Sequence, residues 1–310
     1  MTIRTRKKFS FYFIFLLYAV IAIICFAPSK LNANAMPFYR LNPKDMVLRA
    51  KFYTSYPSST EERKHNIYLA AKALDNTLVD VGGEFSFNRA VGERTEKRGY
   101  KSAKIIVDGE FVDGVGGGVC QVSTTLYNAV ILAGLLVTEY HPHSLPVSYV
   151  APSFDAMVNS GWADLRFINV TDNPIIIKTT ADKATLTVFI YGEEMQEKYL
   201  RKSVITGEIP PPEDKIIDGV SCEYEHLYEG QFERIKYGKA GLTSEGFVLV
   251  MKDGKLFDSR KIRSDKYNPT RGVLVKGIKP LDPDNLSPTP QEELITDNDK
   301  KPSITPPLQT

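Results

Sequence analysis

The 310-residue sequence has little cysteine, little histidine and almost no net charge, and each shortage removes a class of function. Its three cysteines, Cys25, Cys120 and Cys222, are too few and too scattered for a disulfide framework. Four histidines and no Cys-x-x-Cys or His-Glu-x-x-His pair leave little basis for a metal centre, and no cofactor is expected. A formal net charge of +2, with no arginine-rich stripe interleaved with aromatics, argues against nucleic acid as a partner. Five of the positive charges (Arg4, Arg6, Lys7, Lys8, Lys30) fall within residues 1–35, which carry no acid; without them the net charge becomes −3.

What is present first is an export signal. Basic residues precede a run from Phe9 to Phe26 in which Ser10 is the main polar exception, and Ala33-Asn34-Ala35 has the small-x-small form of a cleavage site. Residues 1–35 therefore read as a signal peptide or membrane anchor, with cleavage favoured. The rest is placed on the extracellular face of the membrane or in the cell wall, touching the membrane only through this segment. Cys25 is lost or embedded, and Cys120 and Cys222 stand far apart as two lone thiols; a bridge between them is formally open.

Residues 36–79 read as an N-terminal extension, extended to about residue 57 and then helical. Ser58-Ser59-Thr60-Glu61-Glu62 supplies caps and first-turn carboxylates, and Ile67, Ala70, Ala71, Leu74 and Leu78 recur at helical spacing. A mixed helix-and-sheet domain is expected over 80–192. Asp108-Gly109 between β-forming residues marks a hairpin, a helix runs from Cys120 to about Val137, and three strand-like runs lie between Leu165 and Tyr191. A second, all-β module spans 200–280, with a turn at Asp253-Gly254, and 281–310 has the composition of a disordered tail. The fold class is α+β followed by a small all-β module.

The chemistry centres on Gly116-Gly117-Gly118-Val119-Cys120-Gln121. Glycines just before a helix allow a tight turn and close approach of a ligand, and the helix start favours a thiolate at Cys120. Amides of Gly117 and Gly118 are candidates for an oxyanion hole, so the equipment is that of acyl transfer through a thioester. His141 and His143, just after the helix and placed by their i, i+2 spacing on one strand face, are the candidate bases, and the residues do not choose between them. Gln121, Ser123, Tyr127, Asp155, Asp164 and Arg166 are polar neighbours able to orient a base or bind substrate. A zinc site built from His141, His143 and Cys120 or Asp155 ranks below this.

The stretches Gly83-Glu84-Phe85-Ser86-Phe87-Asn88, Gly116 to Tyr127 and His141-Pro142-His143-Ser144-Leu145-Pro146-Val147 resemble the VanW-like family over roughly 80–192. That family comprises cell-surface proteins of Gram-positive bacteria, named from an accessory gene of vancomycin resistance. The resemblance implies work on peptidoglycan, with L,D-transpeptidase activity through Cys120: attack on the carbonyl after the third residue of a donor stem peptide, and a 3-3 cross-link after an acceptor amine resolves the thioester. Ser153-Phe154-Asp155-Ala156-Met157 departs from the family's more usual Pro-Gly-x-Asp-Ala-Thr. Glu229-Gly230, Gly238, Gly241, Asp253-Gly254-Lys255, Tyr267-Asn268-Pro269 and Val275-Lys276-Gly277 are similar in order to a five-glycine wall-associated module, which implies binding to aminosugar polymers. The expected partners are thus stem peptides and glycan strands. The competing reading is a non-catalytic wall-binding or accessory protein in which Cys120 is inert.

Overall fold

The computed structural model describes residues 46–107 and 109–281. The expected export segment over 1–35, the tail beyond Leu281 and Asp108 of the hairpin turn lie outside the described residues. Among the described residues no helix is long and apolar enough to cross a membrane.

Strand β1 (Val47–Ser55) turns Ala50, Phe52 and Thr54 inward at the two-residue period of a half-buried strand. Helix α1 (Glu61–Leu74) starts where Thr60 accepts a hydrogen bond from the Arg63 N–H, with Glu61 and Glu62 at the positive end of the dipole. Ile67, Ala70, Ala71 and Leu74 bury the face predicted from their spacing. Leu78 does not share it: it belongs to the short strand β2 (Thr77–Val79) and is exposed. Then follow β3 (Glu84–Ser86), the short helix α2 (Phe87–Val91), and the hairpin of β4 (Ser102–Val107) and β5 (Glu110–Val115).

The hairpin delivers the chain to α3 (Val119–Leu132), which is buried almost all round and packs against α1, β1 and later strands. Apolar spacing carries this helix to Val137 in the sequence, but it stops at Leu132. Gly134 takes φ +71, its N–H donates to the Ile131 carbonyl and the Leu135 N–H donates to that of Val130, which together close the helix in a Schellman arrangement. Leu136 and Val137 instead enter β6 (Leu136–Glu139). After β6 come β7 (Arg166–Ile168), β8 (Ile175–Ala181) and β9 (Thr185–Gly192). The strands form two antiparallel sheets besides the hairpin, in the orders β1-β9-β8-β2 and β3-β7-β6. Because β1 pairs with β9 along its length and α1 packs on β8, residues 47–79 are built into the first domain and are not an extension ahead of it.

The second module contributes β10 (Lys198–Ile209), β11 (Lys215–Asp218), β12 (Phe232–Lys236), β13 (Gly241–Lys252), β14 (Lys255–Tyr267) and β15 (Val273–Lys276). It forms a β10-β13-β14 sheet and a β11-β15-β12 sheet, the latter with a parallel β11/β15 pair. With fifteen strands and three α-helices among the described residues, the fold is mainly β, and the α+β description fits it only coarsely. Val248 and Val250 of β13 lie in the same buried cluster as Val122, Leu126 and Val130 of α3. One hydrophobic core therefore crosses from the first domain into the module.

Candidate functional site

Cys120 is placed by three neighbours of the glycine run. Gly118 caps α3 with φ +107, a conformation that strains any L side chain, and a Cβ there would lie 3.0 Å from Arg63 Cγ and Ile67 Cγ1. Buried Asn66 of α1 donates from Nδ2 to the carbonyls of Gly117 (3.0 Å) and Lys101 (2.9 Å) and accepts from the Lys101 N–H (2.8 Å). Cys120 is thus the second residue of α3, half-buried, in the first turn where the dipole favours an anion. The Val119 and Gln121 amides are spent inside the turn, on the Gly116 and Gly118 carbonyls, so these two do not join an oxyanion hole.

A polar stripe on α3 holds a length of irregular chain against the helix. Cys120, Thr124 and Asn128 recur at i, i+4 and i+8, and each bonds the backbone of residues 154–158. Asn128 Nδ2 donates to the Phe154 carbonyl (2.7 Å), Thr124 Oγ1 accepts from the Ala156 N–H (2.9 Å), and Cys120 Sγ lies 3.5 Å from the Val158 carbonyl. Ser123 adds a bond to the Ala156 carbonyl at 2.6 Å. This zipper sets Asp155 beside the helix start.

There Asp155 meets His143. Asp155 Oδ2 accepts from the His143 backbone N–H (2.6 Å) and contacts His143 Nδ1 (2.7 Å), while His143 also hydrogen-bonds Cys120. With Nδ1 taken by the carboxylate, Nε2 is the nitrogen left for sulfur. Cys120, His143 and Asp155 thus stand in the order thiol, imidazole, carboxylate, the order that a nucleophile, a base and its orienting acid require. Burial alone pushes the Cys120 thiol up, but the hydrogen bond and charge of His143, helped by Arg94, bring it below its ordinary value. Burial would lower His143, yet its bonds to Asp155 and Cys120 and their charges raise it to about 9. Burial likewise opposes ionisation of Asp155 and is outweighed by His143, Arg263 and Tyr267, so the carboxyl lies below its usual range. Both shifts run in the direction that favours a thiolate at Cys120 facing a protonated His143.

The other side of Asp155 belongs to the C-terminal module. Tyr267 Oη donates to Asp155 Oδ1 at 2.5 Å, and Arg263 Nη1 donates to the Asp155 carbonyl at 2.7 Å. Arg263 is buried, pairs with Asp265 at 2.6 Å and lies 4.4 Å over the Tyr140 ring. Ser153 stands at φ +62; its N–H donates to Tyr267 Oη and its hydroxyl shares a bond with Ser244. Ser153 is therefore tied down by residues of the module.

The remaining sequence candidates fall elsewhere. His141 shares no strand face with His143, because 140–150 form no strand: its Nε2 lies 3.0 Å from Glu139 and its ring meets exposed Trp162 edge-on. Gln121 is buried and structural, giving Nε2 to Thr54 and the Ser55 carbonyl and accepting from Arg63. Tyr127 is core. Arg166 pairs with Glu84, Glu139 and Asp164, and Asp164 binds Ser86 and the Asn88 N–H. Cys120 and Cys222 are both free thiols, and no three His, Cys, Asp or Glu side chains among the described residues are grouped to hold a metal ion. Sequence reasoning missed Arg63, Arg94, Arg263 and Tyr267; only the polar i, i+4, i+8 stripe on α3 offered a readable signal.

Residues 62–191 match the model of the family described as VanW like protein. The chain is 41% identical over 181 residues to Bacillus subtilis (strain 168) YoaR, covering 56% of this chain and 60% of YoaR. It is 28% identical over 142 residues to the vancomycin B-type resistance protein VanW of Enterococcus faecalis (strain ATCC 700802 / V583), covering 44% of this chain and 52% of that protein. Two solved structures match short parts of it: HP0197-G5 (23% identical, 27% of this chain and 100% of that chain, TM-score 0.15) and an IgA1 protease G5 domain (18%, 28% and 99%, 0.18). Residues 62–191, which hold Cys120, His143 and Asp155, are the part of the chain that is similar to the VanW-like family.

Proposed function

We propose that this chain is an exported, peptidoglycan-active cysteine acyl transferase of L,D-transpeptidase type, working at the outer face of the membrane or in the wall. The observation that carries the reading is the Cys120–His143–Asp155 relay, in which each member has the partner its role requires. The Cys120 thiolate adds to the carbonyl after the third stem residue. When the tetrahedral intermediate collapses, the C–N bond breaks and His143 gives its proton to the leaving amine. An acceptor amine then attacks the thioester and gives a proton back to His143, and the thiolate is released with a new amide, the 3-3 cross-link. Asp155 keeps the imidazole oriented throughout and stabilises its charged form whenever it holds the proton.

The test is incubation of the protein with a disaccharide-tetrapeptide, followed by mass spectrometry. A cross-linked dimer from the wild type and none from Cys120→Ala is the expected result. No dimer and no shortened stem, under conditions where a known transpeptidase works, overturns the reading.

A further inference from the structure

Two arginines flank Cys120 without a carboxylate of their own. Arg63 on α1 donates from Nη1 to Ser59 Oγ (2.9 Å) and from Nη2 to Gln121 Oε1 (2.8 Å). Arg94, in the loop after α2, donates from Nη1 to Ser160 Oγ (3.0 Å) and the Gly92 carbonyl (3.3 Å) and from Nη2 to Asn88 Oδ1 (2.7 Å). All of these partners are neutral. Among the described residues neither arginine forms an ion pair. Asp164 acts on Arg94 only at longer range, its own oxygens being taken by Ser86, Asn88 and Arg166.

The two cations grip the glycine run from its ends. A Cβ on Gly116 would lie 3.0 Å from Arg94 Cβ, and one on Gly118 would lie 3.0 Å from Arg63 Cγ. Only glycine lets both stems approach the helix start this closely, and both guanidinium groups feel the charge of a Cys120 thiolate. With Cys120 ionised and His143 protonated, these two groups, Asp155, the Arg263–Asp265 pair and the two arginines together carry one uncompensated positive charge. Half-buried cations with neutral partners favour an incoming anion, and a planar guanidinium suits a carboxylate.

We propose that Arg63 and Arg94 form a carboxylate subsite beside Cys120 that receives the free C-terminal carboxylate of the residue leaving during acylation. This rests on the acyl-transfer reading and assigns two residues of this chain to hold the single residue that follows the scissile bond of a tetrapeptide donor. In such a donor the carboxylate is one Cα away from the leaving nitrogen, within reach of groups around the nucleophile. One more residue would carry it about 3.5 Å further.

The test compares alkylation of Cys120 by iodoacetate and by iodoacetamide, followed by peptide mapping of the full-length protein. In both reactions the thiolate carbon bond forms as iodide leaves, so the reagents differ in the charge they bring. Relative to wild type, the iodoacetate-to-iodoacetamide rate ratio should fall about threefold in Arg63→Gln and in Arg94→Gln, the size of one screened charge contact, with Arg→Lys recovering part of it. D-alanine, but not D-alaninamide, should slow iodoacetamide labelling in the wild type, and this protection should vanish in the glutamine variants. Both reagents slowing alike, with an unchanged ratio, or equal protection by acid and amide, overturns the subsite. Neither arm requires turnover, so a missing cross-link sinks acyl transfer alone, and an unchanged ratio sinks the subsite alone.

Discussion

His141 and His143 are separated by one proline yet end in opposite surroundings. His143 is buried, with its backbone and its ring on Asp155 and its side chain coupled to Cys120. His141 is half-exposed beside Glu139 and Trp162, in a surface network that continues through Arg166. Spacing brought both into candidacy; what separates them is the chain that packs over each. His143 is covered by the 154–158 segment that α3 pins down and that the C-terminal module buttresses, and nothing comparable covers His141.

Substitutions should divide along that contrast. His143→Ala should lower acyl transfer by on the order of 10³-fold, whereas His141→Ala should stay within about twofold, both read as kcat/KM on the tetrapeptide. Comparable losses in the two variants would erase the distinction. Asp155→Asn removes the charge that holds the imidazolium and should cost on the order of 10²-fold, while moving the pH profile of Cys120 alkylation upward. An unmoved profile would mean that Asp155 serves only to fill space.

The smaller effects come from the module. Tyr267→Phe deletes a hydrogen bond to a buried carboxylate and should destabilise the protein by about 2 kcal/mol, measured by denaturant unfolding, with a modest upward shift of the same alkylation profile. A fully retained profile would reduce the module to a support without influence on the site. Ser153→Gly should change stability by less than about 1 kcal/mol, because relief of the left-handed backbone offsets the lost bond to Ser244.

The pH dependence follows from the same groups. Cys120 lies below its ordinary value, so alkylation should begin at lower pH than for a free thiol. His143 is held at about 9, so transfer that needs its proton should fall as pH rises through that value. For stability the sign is that of a raised group: the His143 contribution is complete below its ordinary 6.5 and is lost as pH rises through about 9. Thermal unfolding of wild type and His143→Ala across this range should show curves that converge at alkaline pH.

Much of this was legible in the sequence. Thr60 with Glu61 and Glu62 marks the start of α1, Asp253-Gly254 takes the positive φ of a tight turn, and the glycine run does precede a helix carrying Cys120. The end of α3 was misplaced because apolar spacing continues past Gly134, while the chain reverses there. β1 read as a loose extension because its partner β9 lies over a hundred residues away, and strand pairing leaves no local signature. The same limit hid the surroundings of Cys120. Arg63 and Tyr267 approach the site from opposite ends of the chain, and no window of sequence contains both.

The account stands most directly on the mass of Cys120 after the protein meets a disaccharide-tetrapeptide without an acceptor amine. It predicts a thioester adduct that adds to Cys120 the mass of the donor less its free terminal amino acid, absent in His143→Ala at matched times. An unmodified Cys120 in a protein whose thiol iodoacetamide labels rapidly at neutral pH would contradict it.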